Sequence, residues 1–211
     1  HRKNHNGLLL SRSRFLFMAQ RPERFSEIII AEMRGVMKNG SNPFWDHVIS
    51  KFIDIPFTEA DKLTGMGKKQ FISDLMPRYP IYTDYLPKEA QEVIDCVHED
   101  TAPALAILER EGFRSKGYVD IFDTGPLIEC ELNRISSVAN SRLAKVAKIN
   151  SDAVNKSKEL FIISTTNIDI RVCMAGLVLD DENNVTITAE TAEALNIGVN
   201  DQVRYVSLKH C

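Results

Sequence analysis

The chain has no C-x-x-C pair. Its four cysteines, Cys96, Cys130, Cys173 and Cys211, lie far apart and irregularly. That spacing argues against a redox dithiol and a disulfide framework, and leaves reduced, mostly buried thiols of a cytoplasmic protein as the expectation. The five histidines, His1, His5, His47, His98 and His210, do not combine with one another or with the cysteines into a four-ligand pattern, so no metal is expected. Long apolar runs are absent as well. Nothing approaches the roughly 20 residues that span a bilayer, and no signal peptide is visible. Nor is there an excess of positive charge: Lys and Arg number 26 against 29 Asp and Glu, a formal net charge of −3. Neither a nucleic acid nor a membrane surface is an expected partner. No internal repeat is evident. At 211 residues the chain can build one sizeable core plus a smaller module.

What is present reads as alternating helices and strands. Residues 8–20 form a helix that Pro22 ends. Residues 25–33 form a strand, whose run Ile28-Ile29-Ile30-Ala31 suggests burial on both faces. A long segment, about 37–100, carries its own helices. Pro43 opens the first, and Thr58-Glu59-Ala60-Asp61 resembles a capping box at the second, with Asp in place of the usual Glu or Gln. A third covers 68–76 and a fourth 87–97. Thr101 suits the cap of a further helix, Pro103 its first turn and Gly112 its end. Ala104, Leu105, Ile107 and Leu108 give that helix an apolar stripe. Strands at 117–122 and 126–132, joined by Asp123-Thr124-Gly125, read as a hairpin. Residues 143–156 are polar and read as a linker. From 157 onward the texture is β-rich, with one short helix at 188–195 and a final strand at 202–208.

Two stretches carry chemistry. Arg2-Lys3-Asn4-His5-Asn6-Gly7 precedes the first helix, where unpaired N–H groups and the helix dipole favour an anion. Arg2, Lys3, Asn6 and Gly7 are the candidate phosphate-binding residues; a basic, solvated turn is the plainer alternative. Arg12, Arg14, Arg21 and Arg24 nearby are mostly expected on a solvated face. The second stretch is His98 with the helix after it. A histidine can accept and return a proton near neutral pH, although one at a helix end can equally serve the dipole. Glu32 and Arg34, at the end of the first strand, and Asp120, Asp123 and Glu129, on the hairpin, are charged candidates for a site. Each is also at home as a surface charge. Trp45, Tyr79, Tyr82 and Tyr85 are expected to pack rather than stack on a ligand.

The order of loop, helix, strand, capped helix with Ala104, Gly112 and Phe113, and closing strand resembles the second half of the acyl-CoA N-acyltransferase (GNAT-like) fold. Many members of that superfamily carry a proton-donating tyrosine where this chain has Leu108. Closer resemblance comes from Ala31-Glu32-Met33-Arg34-Gly35, Pro43-Phe44-Trp45, Ile72-Ser73-Asp74-Leu75-Met76-Pro77, Tyr79-Pro80-Ile81-Tyr82, Val97-His98 and the run from Gly117 to Pro126. Together these resemble the bacterial arginine N-succinyltransferases. The resemblance implies transfer of succinyl from succinyl-CoA, a co-substrate rather than a bound cofactor, to the α-amine of L-arginine, the first step of arginine degradation by the succinyltransferase route. It assigns His98 as proton donor, leaves Glu32, Arg34 and Asp123 to bind substrate, and implies that the chain is the C-terminal part of a longer enzyme.

The expected fold class is therefore α/β. An acyltransferase-like domain covers 1–142, with its first strands missing and a helical insertion at about 37–100. A linker follows at 143–156, then a small β-rich domain at 157–211. The insertion is read as a wall or lid for an arginine pocket, or as a purely structural element. An open sheet edge and the insertion's aromatics argue for a homo-oligomer or for association with the upstream part of the family's chain. Another amino-acid or polyamine N-acyltransferase, or a non-catalytic CoA-binding or assembly fragment, are the alternative readings.

Overall fold

Local signals set most element ends. The computed structural model describes residues 6–155 and 159–209. Along them run α1 (Asn6–Gln20), β1 (Ile28–Glu32), α2 (Pro43–His47), α3 (Phe57–Gly65), α4 (Gln70–Leu75), α5 (Lys88–Gln91), α6 (Ala102–Arg110), β2 (Arg114–Val119), β3 (Pro126–Glu131), α7 (Ser136–Asn140), β4 (Arg142–Ile149), α8 (Ser151–Asn155), β5 (Leu160–Thr165), β6 (Val172–Gly176), β7 (Val178–Leu179), β8 (Val185–Ile187), α9 (Ala189–Leu195) and β9 (Gln202–Ser207). The content is α/β. Pro22 does end the first helix. Gly112 follows α6 with φ +107, a left-handed backbone that glycine adopts at little cost. Thr188 caps α9 by accepting the Thr191 N–H at 3.0 Å, and Asn196 closes it in the left-handed region.

The chain divides into two compact units. Among the described residues the first takes in 6–29, 107–113 and 130–209. Its centre is a six-stranded sheet of order β6-β5-β9-β4-β8-β7. Only the β4–β8 pair is parallel. Side chains alternate across a strand, and β5 uses both faces. Phe161 and Ile163 join Val146, Val185, Ile187, Leu195 and Val203 in one core, while Ile162 packs with Leu16 of α1 and Val206 on the other side. Each such buried aliphatic side chain contributes about 1.5–3 kcal/mol. Burial pushes the Cys173 thiol up to about 11, which keeps it protonated.

Two readings are corrected in this unit. Residues 143–156 are no linker: β4 pairs with β9 and β8 inside the sheet, and α8 follows. Its strand signal is muted because only Ala144 and Val146 are buried, among the exposed Arg142, Lys145 and Lys148. Arg12 is not on a solvated face. It is 2% exposed and bonds Glu111 with Nε at 2.8 Å from Oε1.

The second unit comprises 30–106 and 114–129, and holds the whole of the segment read as an insertion. Trp45, Val48, Ile49, Ile53, Ala60, Ala90 and Phe122 form its core. Trp45 meets Phe57 and Phe122 edge-on, with centroids at 5.6 and 5.3 Å. Tyr79, Tyr82 and Tyr85, expected to pack, are exposed instead, Tyr85 by 86%. Pro77, Pro80 and Pro87 keep that stretch out of longer helices, leaving one 3-10 turn at Thr83–Tyr85. The fourth expected helix shrinks to Lys88–Gln91; past it the Val93 and Ile94 N–H groups bond three residues back, to Ala90 and Gln91, and Asp95 turns left-handed at φ +61.

A three-stranded sheet, β1-β3-β2, completes the architecture. β2 and β3 are the anticipated antiparallel pair, with Tyr118 opposite Leu127 and Arg114 opposite Glu129. β1 is an edge strand, not one buried on both faces. Its apolar run supplies one half-buried row, Ile29 and Ala31, and one open row, in which Ile30 is 54% exposed.

Candidate active site

The functional candidates cluster where β1 runs out. Past Glu32 the chain bridges to the segment before α6: Gly35 pairs antiparallel with Val97, and the His98 N–H donates to the Arg34 carbonyl at 2.8 Å. The His98 carbonyl in turn accepts the Thr101 N–H at 2.9 Å, the Ala102 N–H at 3.1 Å and the Thr101 hydroxyl at 2.9 Å. Thr101 thus donates from its hydroxyl to the residue that opens the turn. His98 is held on both sides of its own backbone, and its side chain is 15% exposed. Nδ1 of the ring accepts the Asp100 N–H at 3.1 Å, so in this arrangement the neutral ring carries its proton on Nε2. The Asp100 carboxylate lies 3.9 Å from the same Nδ1.

The loop between β2 and β3 is fastened against this corner. Asp123 spans it: Oδ2 accepts the Gly35 N–H and Oδ1 the Gly125 N–H, both at 2.8 Å. Asp120 Oδ1 accepts the N–H groups of Phe122 at 2.7 Å and Asp123 at 3.1 Å. Asn42, fully buried, donates to the carbonyls of Val36 and Asp123 and accepts the Trp45 N–H that starts α2. These bonds hold Thr124 at φ +54, a conformation that costs a β-branched residue about 1–3 kcal/mol. Such strain persists only where the surroundings over-determine it.

Backbone meets backbone here at two glycines. A Cβ on Gly125 would lie 1.9 Å from the Met33 carbonyl oxygen and 2.5 Å from the Gly35 nitrogen, and one on Gly35 would lie 2.0 Å from the Asp123 oxygen. Gly125→Ala is therefore expected to destabilise the protein by about 1–3 kcal/mol. Thermal unfolding followed by circular dichroism measures this; an unchanged midpoint would mean that the loop is not seated as described.

Beside the corner lies a cavity of about 600 Å³. Its apolar wall includes Phe57, Ile72 and Phe122, and its charged lining comprises Glu32, Arg34, Asp61, Lys69, Asp120 and Asp123. Of the residues singled out in the sequence, Glu32, Arg34, Asp120 and Asp123 thus converge. His98 is one backbone hydrogen bond away from Arg34 but does not line the cavity. Glu129 sits opposite Arg114 in the β2–β3 pair. Asn6 and Gly7 form the exposed first turn of α1, in the first unit, while Arg2 and Lys3 lie outside the described residues.

Asp61 and Lys69 were not legible as site residues. α3 starts at Phe57, with Pro56 before it and no side-chain cap, so Thr58 to Asp61 is helix rather than a capping box. Phe57, Asp61 and Thr64 line the cavity because positions i, i+4 and i+7 share a helix face. That spacing was the available signal. Among the described residues no group of three or more His, Cys, Asp or Glu side chains is placed to hold a metal ion, and no helix is long and apolar enough to cross a membrane.

Comparison with known proteins agrees along the chain. Residues 1–137 match the family profile of the arginine N-succinyltransferase beta subunit, and residues 142–207 that of its C-terminal domain. An arginine N-succinyltransferase from Escherichia coli (strain 55989 / EAEC) is 43% identical over 208 residues, covering 98% of this chain and 60% of the relative. One from Photorhabdus laumondii is 44% identical over 209 residues, covering 99% and 61%. The solved structure of arginine/ornithine succinyltransferase subunit AI from Pseudomonas aeruginosa is similar with a TM-score of 0.81 and 35% identity, over 95% of this chain and 57% of that one. The chain spans about three fifths of the length of the curated relatives it matches.

Proposed function

The chain belongs to the arginine N-succinyltransferase beta subunit family, and from that membership we propose that it transfers a succinyl group from succinyl-CoA to the α-amine of L-arginine. In this reading both substrates bind together. The amine nitrogen attacks the thioester carbonyl carbon, whose oxygen is polarised by backbone N–H groups. The C–N bond forms, the C–S bond breaks, and His98 gives its Nε2 proton to the departing sulfur, so CoA leaves as a thiol, while the proton lost by the amine takes its place on Nε2. Glu32 and Arg34 bind the substrates' charged groups. Arg2, Lys3, Asn6 and Gly7 are assigned to the CoA phosphates, at the start of a helix whose first N–H groups have no intrahelical partner. Succinyl-CoA is a co-substrate and no permanently held cofactor enters the scheme. We place the protein in the cytoplasm, where its scattered cysteines stay reduced.

The observation that carries this reading is the meeting of both charge signs in one cavity beside the corner that holds His98. Arginine offers a cation at one end and a carboxylate at the other, and needs partners of both signs. Thiol release tests it. Succinyl-CoA and acetyl-CoA are each offered with arginine, ornithine, lysine and spermidine, to the polypeptide as its gene encodes it and to residues 1–211. CoA release that requires arginine and is fastest from succinyl-CoA is the expected result. Release that is independent of the acceptor, or faster from acetyl-CoA, would retire the assignment.

A further inference from the structure

Four carboxylates line the cavity at the end of β1, but they are not equivalent. Both oxygens of Asp123 already accept backbone N–H groups, and one oxygen of Asp120 accepts two. These two side chains fasten the β2–β3 loop. The side chains of Glu32 and Asp61, by contrast, have no hydrogen-bond or ion-pair partner among the described residues, and the same holds for those of Arg34 and Lys69. All four belong to exposed residues on the lining of one cavity, where their unpaired groups of both signs match a ligand that itself carries both signs.

The walls add shape. Asp61 stands one helical turn beyond Phe57 on α3, and the rings of Phe57 and Phe122 together with Ile72 face the same space. An aliphatic stem ending in a flat guanidinium suits such a wall, because guanidinium stacks on aromatic faces and forks onto carboxylates. We infer that Asp61 receives the guanidinium of the acceptor amino acid, with Glu32 beside it, and so selects a cationic side chain over a neutral one of equal length. Asp123, a substrate-binding candidate in the sequence, becomes a positioning residue. This assignment rests on reading the cavity as the acceptor site. It gives the insertion a function that its composition does not announce.

Citrulline is the discriminating probe, since it matches arginine in length but carries no charge. The wild-type enzyme is expected to prefer arginine over citrulline in kcat/KM, and Asp61→Asn to shrink that preference by about 10- to 100-fold, the loss of a charge-assisted bond. Asp61→Glu is expected to restore part of it. Glu59→Gln, on the same helix but outside the cavity lining, leaves it unchanged. Binding gives a second readout that does not need turnover. Trp45 is the single tryptophan, buried edge-on against both Phe57 and Phe122, so its fluorescence reports occupancy of the cavity. If arginine binds with an Asp61-dependent preference but no succinyl transfer occurs, the reaction proposed above fails and the site stands. If arginine-dependent transfer occurs and Asp61→Asn keeps the full preference in both readouts, the reaction stands and this assignment falls. An enzyme that binds neither amino acid overturns both.

Discussion

Replacing Glu111 with alanine is expected to lower the unfolding free energy by about 3–5 kcal/mol. Glu111 is 0% exposed and its partner Arg12 2%. The carboxylate does three things at once. Oε1 accepts Arg12 Nε and the Ser137 hydroxyl, each at 2.8 Å, and Oε2 accepts the Ser137 N–H at 2.7 Å. It thereby joins α1, the end of α6 and the start of α7. Cutting it away leaves a guanidinium in the interior with no counter-charge, and Nη1 of Arg12 already has no partner among the described residues. The cost comes from that uncompensated charge rather than from the worth of the pair itself. The paired replacement Arg12→Met with Glu111→Leu is accordingly expected to lose far less than Glu111→Ala alone. Urea unfolding of both variants measures the difference. A Glu111→Ala protein within about 1 kcal/mol of the parent, the size of an exposed pair, would mean that water reaches this pair.

The same pair shows where reading a sequence stops. Arg12 sits among Arg14, Arg21 and Arg24, and nothing local separates the four. Its burial is decided by Glu111, 99 positions away. Arg14 instead lies over the Phe15 ring at 5.3 Å, as an exposed guanidinium can. Features whose cause is local were legible: the stop at Pro22, the helix that Gly112 ends, the hairpin around Thr124, and α9 with its threonine cap. β4 was missed because only Ala144 and Val146 are buried, among the exposed Arg142, Lys145 and Lys148, a pattern that reads as polar linker. β1 was read as fully buried because four apolar residues in a row do not say how many faces are covered.

The candidate site divides in the same way. Glu32 and Arg34 are candidates at a strand end and Asp123 a candidate on the hairpin, and the fold gathers all three. Their roles were not legible, because role depends on what each oxygen already holds. Asp123 is spent on two backbone N–H groups contributed by Gly35 and Gly125, one of them 88 positions away. Asp61 reads as the end of a capping box, but α3 begins two residues earlier than that pattern implies, and Asp61 stands one turn beyond Phe57 on the cavity face. The phosphate-binding candidates Arg2 and Lys3 lie outside the described residues, so their assignment rests on the sequence alone.

His98→Ala is expected to cut kcat by about 10²- to 10⁴-fold, the range for loss of a general acid or base, while KM for arginine and for succinyl-CoA shifts less than threefold. Leu108 is buried and apolar at the position where the resemblance expects a tyrosine, so in the proposed reaction the proton is carried by another residue. His98 is the histidine of this corner, and its position is fixed by its backbone and its ring. Its N–H is tied to Arg34, its carbonyl to the first turn of α6, and its Nδ1 to the Asp100 N–H. With Nδ1 so occupied, Nε2 is the nitrogen left to exchange a proton with substrate. Asp100 also offers a carboxylate 3.9 Å from Nδ1, a partner for the imidazolium if the ring takes up a second proton. One residue thus supplies a donor to the neutral ring and an acceptor near the charged one, and the ring need not turn between them. A purely structural histidine would also lose activity on truncation, so the deciding readout is rescue. Added imidazole is expected to restore turnover to the His98→Ala enzyme in proportion to its concentration, and to do nothing for Gly125→Ala, whose defect is a displaced loop. A His98→Ala enzyme that runs at the parent rate removes the residue from the chemistry. One that is slow but indifferent to imidazole makes it a brace for the Arg34 strand.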